Sequence, residues 1–347
     1  MSSSPDTNPA RRHLVKGALA LGVAPAVITR ASAKGTITWR CQSHYPEASA
    51  SFRGSQAVIA KLLEERTNGR FKIELLGAGT IANGPEILNS VRRGVLPMGS
   101  TFPGFNLGES ELFGLYSGVP GTLQEPWQMT HWVKNLGLED AVNEEMKSKG
   151  VIFRAHQSYP MELCLKRELT ADTNIAGLKV ASFGTILNYL DVAGFAAQSI
   201  SGGELYQALT TGVLDGANWG AAQGHLSMKL WEVAPVQMKP ALAIVSDVFA
   251  INKKAYDDLP EDLRVILDGL LQEWYLRRTA EYTVGEVIAL NTGVEKMGVK
   301  VQRFPDPVMQ KFSEASKIIL SKEMEKGSYA KKQGEVLMTL MKQLGYA

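Results

Sequence analysis

From Thr36 onward the chain alternates short apolar runs with longer amphipathic ones, and that alternation restricts it to layers of helix on sheet. Thr36 to Arg40 reads as a first strand, followed by a polar loop from Cys41 to Ser51. A helix is expected over about Phe52 to Thr67, stopped at Asn68-Gly69, because glycine and asparagine accept the left-handed turn that ends helices. Strands at Phe71–Leu76 and Val95–Phe102 flank a helix at Gly84–Arg93. Gly104 to Gly121 reads as a loop rich in glycine and aromatics, and helices follow near Pro126–Leu136 and Glu139–Lys149.

A second unit is expected to begin at Gln157, with strands at Met161–Leu165, Leu178–Ser182 and Ser199–Ile200. Helices fall at Thr185–Ala193 and Gly203–Thr211, the latter closed by Gly212. Ala241 to Ile251 is apolar and β-branched, as a buried strand is. From Pro260, at the favoured first-turn position, helical periodicity persists to Leu290. At 1.5 Å per residue that helix is ~45 Å long, enough to brace two lobes. The expected domains are a first α/β lobe of 34–156 plus about 247–275, and a second of 157–246 plus about 276–347 with the C-terminal helices.

The N-terminus reads as an address. Arg11-Arg12-His13-Leu14-Val15-Lys16 is close to the twin-arginine export pattern, the run Gly17 to Ile28 is apolar, and Ala31-Ser32-Ala33 is a small-residue cleavage site. That run is shorter than the ~20 residues that span a bilayer. Residues 1–33 are therefore expected to be a twin-arginine signal peptide, cleaved near Ala33, which implies the export machinery as a partner and the periplasm as destination. Without them four of the 37 basic and one of the 35 acidic residues are lost, leaving a net charge of −1. No basic excess remains for a phosphate backbone, so nucleic acid is not an expected partner. Cys41 and Cys164 make neither a disulfide framework nor a metal cluster. Two buried free thiols are expected, a single bridge in an oxidising compartment being the alternative.

Enzyme motifs are missing. There is no G-x-S-x-G elbow, no phosphate-binding P-loop and no H-E-x-x-H. Gly77-Ala78-Gly79 lacks the third glycine and the acidic partner of a dinucleotide site. His44, His131, His156 and His225 lack metal-ligand spacing. The expectation is a chain that binds without catalysing.

Three ordered blocks carry a family resemblance. Ala176-Gly177-Leu178-Lys179-Val180 is similar to a G-L-K-[IV]-R strand. Leu205-Tyr206-Gln207-Ala208-Leu209-Thr210-Thr211-Gly212-Val213-Leu214-Asp215-Gly216-Ala217 is similar to Y-x-A-L-x-x-G-x-x-D-G. Ile251-Asn252-Lys253-Lys254 and Leu259-Pro260-Glu261-Asp262-Leu263 are similar to I-N-K…L-P-x-D-L. Together they resemble the substrate-binding subunits of TRAP (tripartite ATP-independent periplasmic) transporters, the DctP-type family, and most of all its keto-acid-binding branch. The resemblance implies a two-lobed periplasmic binding protein fold with a long interlobe helix and a cleft that closes on a small molecule, probed next by a membrane permease. A sensor subunit is the alternative partner role, and a neutral or zwitterionic solute the alternative to an organic acid.

The same resemblance implies site residues. Gln157 stands where the branch has a ligand-facing glutamine. Ser43, His44 and Tyr45 are expected to line the cleft from the first lobe, and Gln237, Met238 and Lys239 to bring a further contact. Glu162 is either solvated or cleft-facing. The family's carboxylate-binding arginine is replaced by Ala181, followed by Ser182, with Lys239 and Arg154 as candidate substitutes. The branch's metal-holding carboxylate is replaced by Asn218. Asn218 could still offer an amide and Trp219 a stacking face, and these two are the candidate contacts if a metal ion bridges the ligand; otherwise no cofactor is expected. The tail from Gly334 to Leu344 is amphipathic, expected to pack on the chain's own second lobe or, alternatively, to be exchanged in a homodimer.

Overall fold

The computed structural model describes residues 35–346, so the expected signal peptide lies outside the described residues. Strands β1 (Ile37–Ser43), β2 (Phe71–Leu76), β3 (Met98–Thr101), β4 (Val151–Met161), β5 (Leu163–Leu165), β6 (Lys179–Ala181), β7 (Ala196–Gln198), β8 (Gly216–Asn218), β9 (Val236–Lys239), β10 (Ala243–Asn252) and β11 (Lys300–Arg303) form two sheets. The first has the order β2-β1-β3-β10-β4 and the second β11-β9-β5-β8-β6-β7. Helices α1 (Ala57–Arg66), α2 (Ile87–Arg92), α3 (Phe113–Tyr116), α4 (Pro126–Asn135) and α5 (Leu138–Met146) belong to the first half of the chain. They are followed by α6 (Gly184–Val192), α7 (Leu205–Thr210), α8 (Ala222–Ser227), α9 (Lys253–Asp257), α10 (Glu261–Met297), α11 (Asp306–Met324) and α12 (Ser328–Gln343).

The chain passes between the sheets three times. β4 runs into β5 through Glu162, β9 runs into β10 through Pro240–Leu242, and α10 crosses bodily. At 37 residues α10 is about 55 Å long. Its first turns bury Leu263, Leu267, Leu270, Leu271 and Trp274 in the core under the first sheet. Its later turns bury Tyr282 and Ala289, and Gly293 lies against the Trp231 indole, where a Cβ would sit 2.5 Å from the ring. Two short crossings beside one long brace are the anatomy of a hinge.

Two boundaries differ from the sequence reading. β4 pairs with β10 along its whole length, Val151↔Asn252 to Met161↔Ala243, so the passage between lobes falls at Glu162 rather than at 156/157. The long register with β10 carries β4 through Gln157 to Met161 without a break between lobes. The tail also differs: α12 packs on the helices of the first lobe. Trp132 Nε1 donates to Gln333 Oε1 at 3.0 Å, and Gln128 Nε2 to the Tyr346 hydroxyl at 2.6 Å. The apolar stripe found in the sequence is real, with Leu337 and Leu340 buried, but periodicity does not say which lobe receives it.

Candidate functional site

Asp247 is the centre of a buried polar network in the first lobe. It interrupts the apolar strand β10 and pairs across the sheet with Gln157 on β4. Immediately beyond, the register slips, so that Val248 pairs with Ala155 and His156 is left over. Such a bulge re-aims side chains, and bulges concentrate beside functional sites. Gln157 Nε2 donates to Asp247 Oδ2 at 2.7 Å and to Ser51 Oγ at 3.1 Å. The Tyr45 hydroxyl donates to Oδ2 at 2.7 Å and that of Tyr159 to Oδ1 at 3.1 Å, the two hydroxyl oxygens being 2.8 Å apart.

Asp247 is fully buried, and burial pushes its carboxyl above the usual range, against the pull of His44 and three hydrogen bonds. His44 Nε2 lies 3.8 Å away. Burial pushes the imidazole below its ordinary value, and Nδ1 contacts the Ser100 carbonyl at 3.1 Å. Arg278, on α10, donates from Nε to Gln157 Oε1 at 3.4 Å and stacks on the Tyr282 ring at 4.9 Å. Its Nη2 is buried without a hydrogen-bond partner.

Aromatic side chains of both lobes close over this network. Tyr45 meets Trp219 edge-on with centroids 5.8 Å apart, Phe105 meets Phe183 at 5.5 Å, and Phe183 meets Trp219 at 5.9 Å. His44, Tyr45, Phe102, Phe105, Tyr159, Met161, Phe183, Trp219 and Gly220 enclose a cavity of about 20 Å³. A second, of about 10 Å³, lies on the other side of the Tyr45–Trp219 contact and adds Ser49, Ser51, Ser227 and Tyr282. Each is about the size of one water, so the contact between the lobes leaves no room there for a larger molecule.

The structure thus brings together His44, Tyr45, Gln157 and Trp219 of the residues singled out from sequence. Ser182 and Asn218 precede Phe183 and Trp219 at the ends of adjacent strands, where Asn218 Nδ2 donates to Ser182 Oγ at 2.9 Å. Glu162, Gln237 and Lys239 form a separate cluster at the crossings. Lys239 Nζ lies 2.5 Å from Glu162 Oε1, Gln237 Nε2 donates to Glu162 Oε2 at 2.6 Å, and Gln237 Oε1 accepts from His225 and Trp231. Burial pushes the Glu162 carboxyl up, partly countered by Lys239. This cluster borders a groove of about 680 Å³ behind the hinge that also includes Glu286, Arg303 and Phe312.

Neither substitute for the missing arginine takes that place. Lys239 is committed to Glu162, and Arg154 to Asp268 at 3.2 Å. Arg278 and Asp247 escaped the sequence reading. Both carried a signal: a carboxylate inside an apolar strand run, and a guanidinium on the helical stripe of Leu271, Trp274, Tyr275 and Tyr282.

Comparison with known proteins gives a consistent picture. The model of the family described as "Bacterial extracellular solute-binding protein, family 7" (DctP) matches residues 43–327. A monocarboxylate 2-oxoacid-binding periplasmic protein of Nostoc is 26% identical over 322 residues, covering 89% of this chain and 85% of its own length. A TRAP transporter solute-binding protein of Bordetella bronchiseptica, crystallised as a dimer with calcium and picolinate, is 21% identical and superposes with a TM-score of 0.83 over 89% of this chain and 93% of that one. A TRAP periplasmic solute-binding protein of Pseudoalteromonas atlantica with sodium and pyruvate is 22% identical, with a TM-score of 0.81 over 89% and 95%.

Proposed function

Because the chain belongs to the family 7 bacterial extracellular solute-binding proteins, we propose that it is the periplasmic receptor of a TRAP transporter, taking a small organic molecule between its lobes and presenting it to a membrane permease. The observation that carries this reading is the shut aromatic seam of Tyr45, Phe105, Phe183 and Trp219 over the buried Asp247 network. Residues of both lobes meet there, and the two sheets are joined through Glu162, through Pro240–Leu242 and through α10, short passages and one brace suited to hinge motion. Binding and closure are then one event. The family is one of receptors, and no residue is assigned a catalytic role. Periplasmic location is supported by the relatives' periplasmic names, and twin-arginine export by Arg11 and Arg12.

The relatives that carry calcium or sodium raise the question of a metal. Among the described residues, no three His, Cys, Asp or Glu side chains gather to hold one. Asp247 is a single carboxylate whose two oxygens already accept from hydroxyl and amide donors. Asn218 Oδ1 is a buried orphan, but it is one oxygen where a hard cation takes six or more, and the Trp219 carbonyl is turned against Gly224. The donor set among the described residues does not fit a resident metal.

A thermal-shift screen of the protein against organic acids, amino acids, polyols and aromatics tests the reading, with 2-oxoacids first because the Nostoc relative binds them. A solute at 100 times its dissociation constant adds ~2.7 kcal/mol of stability. Stabilisation by a solute that disappears in Trp219→Ala is expected. A solute bound equally well by Trp219→Ala contradicts the placement of the site.

A further inference from the structure

Behind the tyrosines that line the cleft lie two buried, opposite charges, Asp247 and Arg278, without a lysine, arginine or carboxylate in ion-pair distance among the described residues. Among the described residues, no lysine or arginine lies within ion-pair distance of Asp247, and its nearest titratable neighbour is His44 at 3.8 Å. Its other partners are neutral: Tyr45, Tyr159 and Gln157. Arg278 is only 5% exposed, makes one long hydrogen bond to the Gln157 carbonyl oxygen and leaves Nη2 unpaired. Buried charges and donors left in this condition are costly, and structures keep them where something else completes them. Gln157 holds the two apart, its amide nitrogen on Asp247 and its oxygen on Arg278.

The proton count around Asp247 points the same way. Three close oxygen contacts, Tyr45–Asp247, Tyr159–Asp247 and Tyr45–Tyr159, share two hydroxyl protons. With both protons directed at an ionised carboxylate, the two phenol oxygens face each other as acceptors, with only the long 3.5 Å contact from Gln157 Nε2 to the Tyr45 oxygen as a donor. Both phenols line the aromatic cavity together with Phe105, Phe183 and Trp219, and aromatic side chains of this kind attract an ammonium group. On the other side of the Tyr45–Trp219 contact the wall is Ser49, Ser51 and Tyr282, and Tyr282 is the ring on which Arg278 stacks. Ala181, fully buried, offers no cation from the second lobe.

We propose that the solute is a small zwitterion of the amino-acid class, its ammonium group taken by Tyr45 and Tyr159 in front of Asp247 and its carboxylate by Arg278. Resting on the reading of the interlobe cleft as the solute site, this assigns the ligand's charges. The cation that holds the carboxylate comes from the hinge helix, so the carboxylate is held at the helix that spans both lobes.

Calorimetric titration of the protein tests the assignment with matched probes: the common α-amino acids, β-alanine and γ-aminobutyrate, against propionate and butyrate as acids alone and propylamine and butylamine as amines alone. At least one zwitterion is expected to bind roughly tenfold or more tightly than either monopolar counterpart. Asp247→Asn and Tyr45→Phe should each shrink its advantage over the acid, and Arg278→Gln its advantage over the amine. The probe comparison on the unaltered protein stands even where a variant fails to fold. An acid bound as tightly as every zwitterion, or no zwitterion bound, overturns the proposal. Should an acid bind and lose affinity in Trp219→Ala, the cleft remains the site and only the charge assignment falls. Zwitterion binding that Trp219→Ala leaves intact removes the cleft reading and this proposal with it.

Discussion

Trp219 of the second lobe meets Tyr45 of the first edge-on, with ring centroids 5.8 Å apart and planes at 85°. Tyr45 in turn donates to Asp247 at 2.7 Å. The contact between the lobes is therefore one side chain away from the buried charge, and whatever disturbs Trp219 is felt at both.

Gly202 controls where Trp219 lies. A Cβ on Gly202 would stand 2.3 Å from the indole Cη2 and 2.5 Å from Cζ3, whereas one on Gly203 meets nothing within 4 Å. Gly202→Ala is expected to push the ring into the cleft, costing ~1–3 kcal/mol of stability as overpacking does and weakening solute binding. Gly203→Ala should stay within about 0.5 kcal/mol of the parent. Melting curves and titrations of the pair with the strongest solute from the screen check this, and equal behaviour would contradict it.

Glu286 gives a pH dependence. It caps α8, accepting from the backbone N–H groups of Ala222 at 2.6 Å and Gln223 at 3.1 Å, yet burial pushes its carboxyl from an ordinary 4.5 up to about 7. An acid whose folded value is raised favours the folded state while protonated. Its contribution is complete below about 4.5 and lost as pH climbs through about 7. Across that window the parent should lose stability relative to Glu286→Gln, in which the titration is removed. Denaturant melts of both proteins at several pH values measure the difference, and parallel curves would refute it.

Much of this fold was legible in the sequence because it rests on local rules. The alternation of strands and helices, the glycine stops and the run of 205–217 all report neighbours in the chain. Of the proposed site, the sequence pointed to His44, Tyr45, Gln157 and Trp219, and only through resemblance. Glu162 entered the candidate site as a charge between apolar strand residues, and Lys239 through the family resemblance and as a substitute for the missing arginine. The fold instead lays the two crossings side by side, so the charges satisfy each other. Asp247 and Arg278 were missed. Each sits inside an element with a strong apolar pattern, and only the cross-strand pairing with Gln157 and the turn spacing of α10 bring them together.

The thiols supply a test of the lobes' integrity. Cys41 on β1 and Cys164 on β5 are free and fully buried in different sheets, and burial pushes both up to about 12. Neither should react with a maleimide in the native protein, both should react in denaturant, and a reducing agent should leave the melting temperature unchanged. Fast labelling of the native protein would show that a lobe opens or packs differently.

Export is expected to depend on Arg11 and Arg12. Replacing both with lysine preserves charge but removes the pair, and precursor should accumulate in the cytoplasm when cell fractions are probed with an antibody. Normal periplasmic accumulation would assign export to the general secretory route.

The central claim is that solute capture and closure of the Tyr45–Trp219 seam are one event, and small-angle X-ray scattering with and without the strongest solute from the screen tests it most directly. The account predicts a smaller radius of gyration when that solute is saturating, and a response reduced or lost in Trp219→Ala. A bound solute, verified by calorimetry, that leaves the radius of the parent protein unchanged would contradict it.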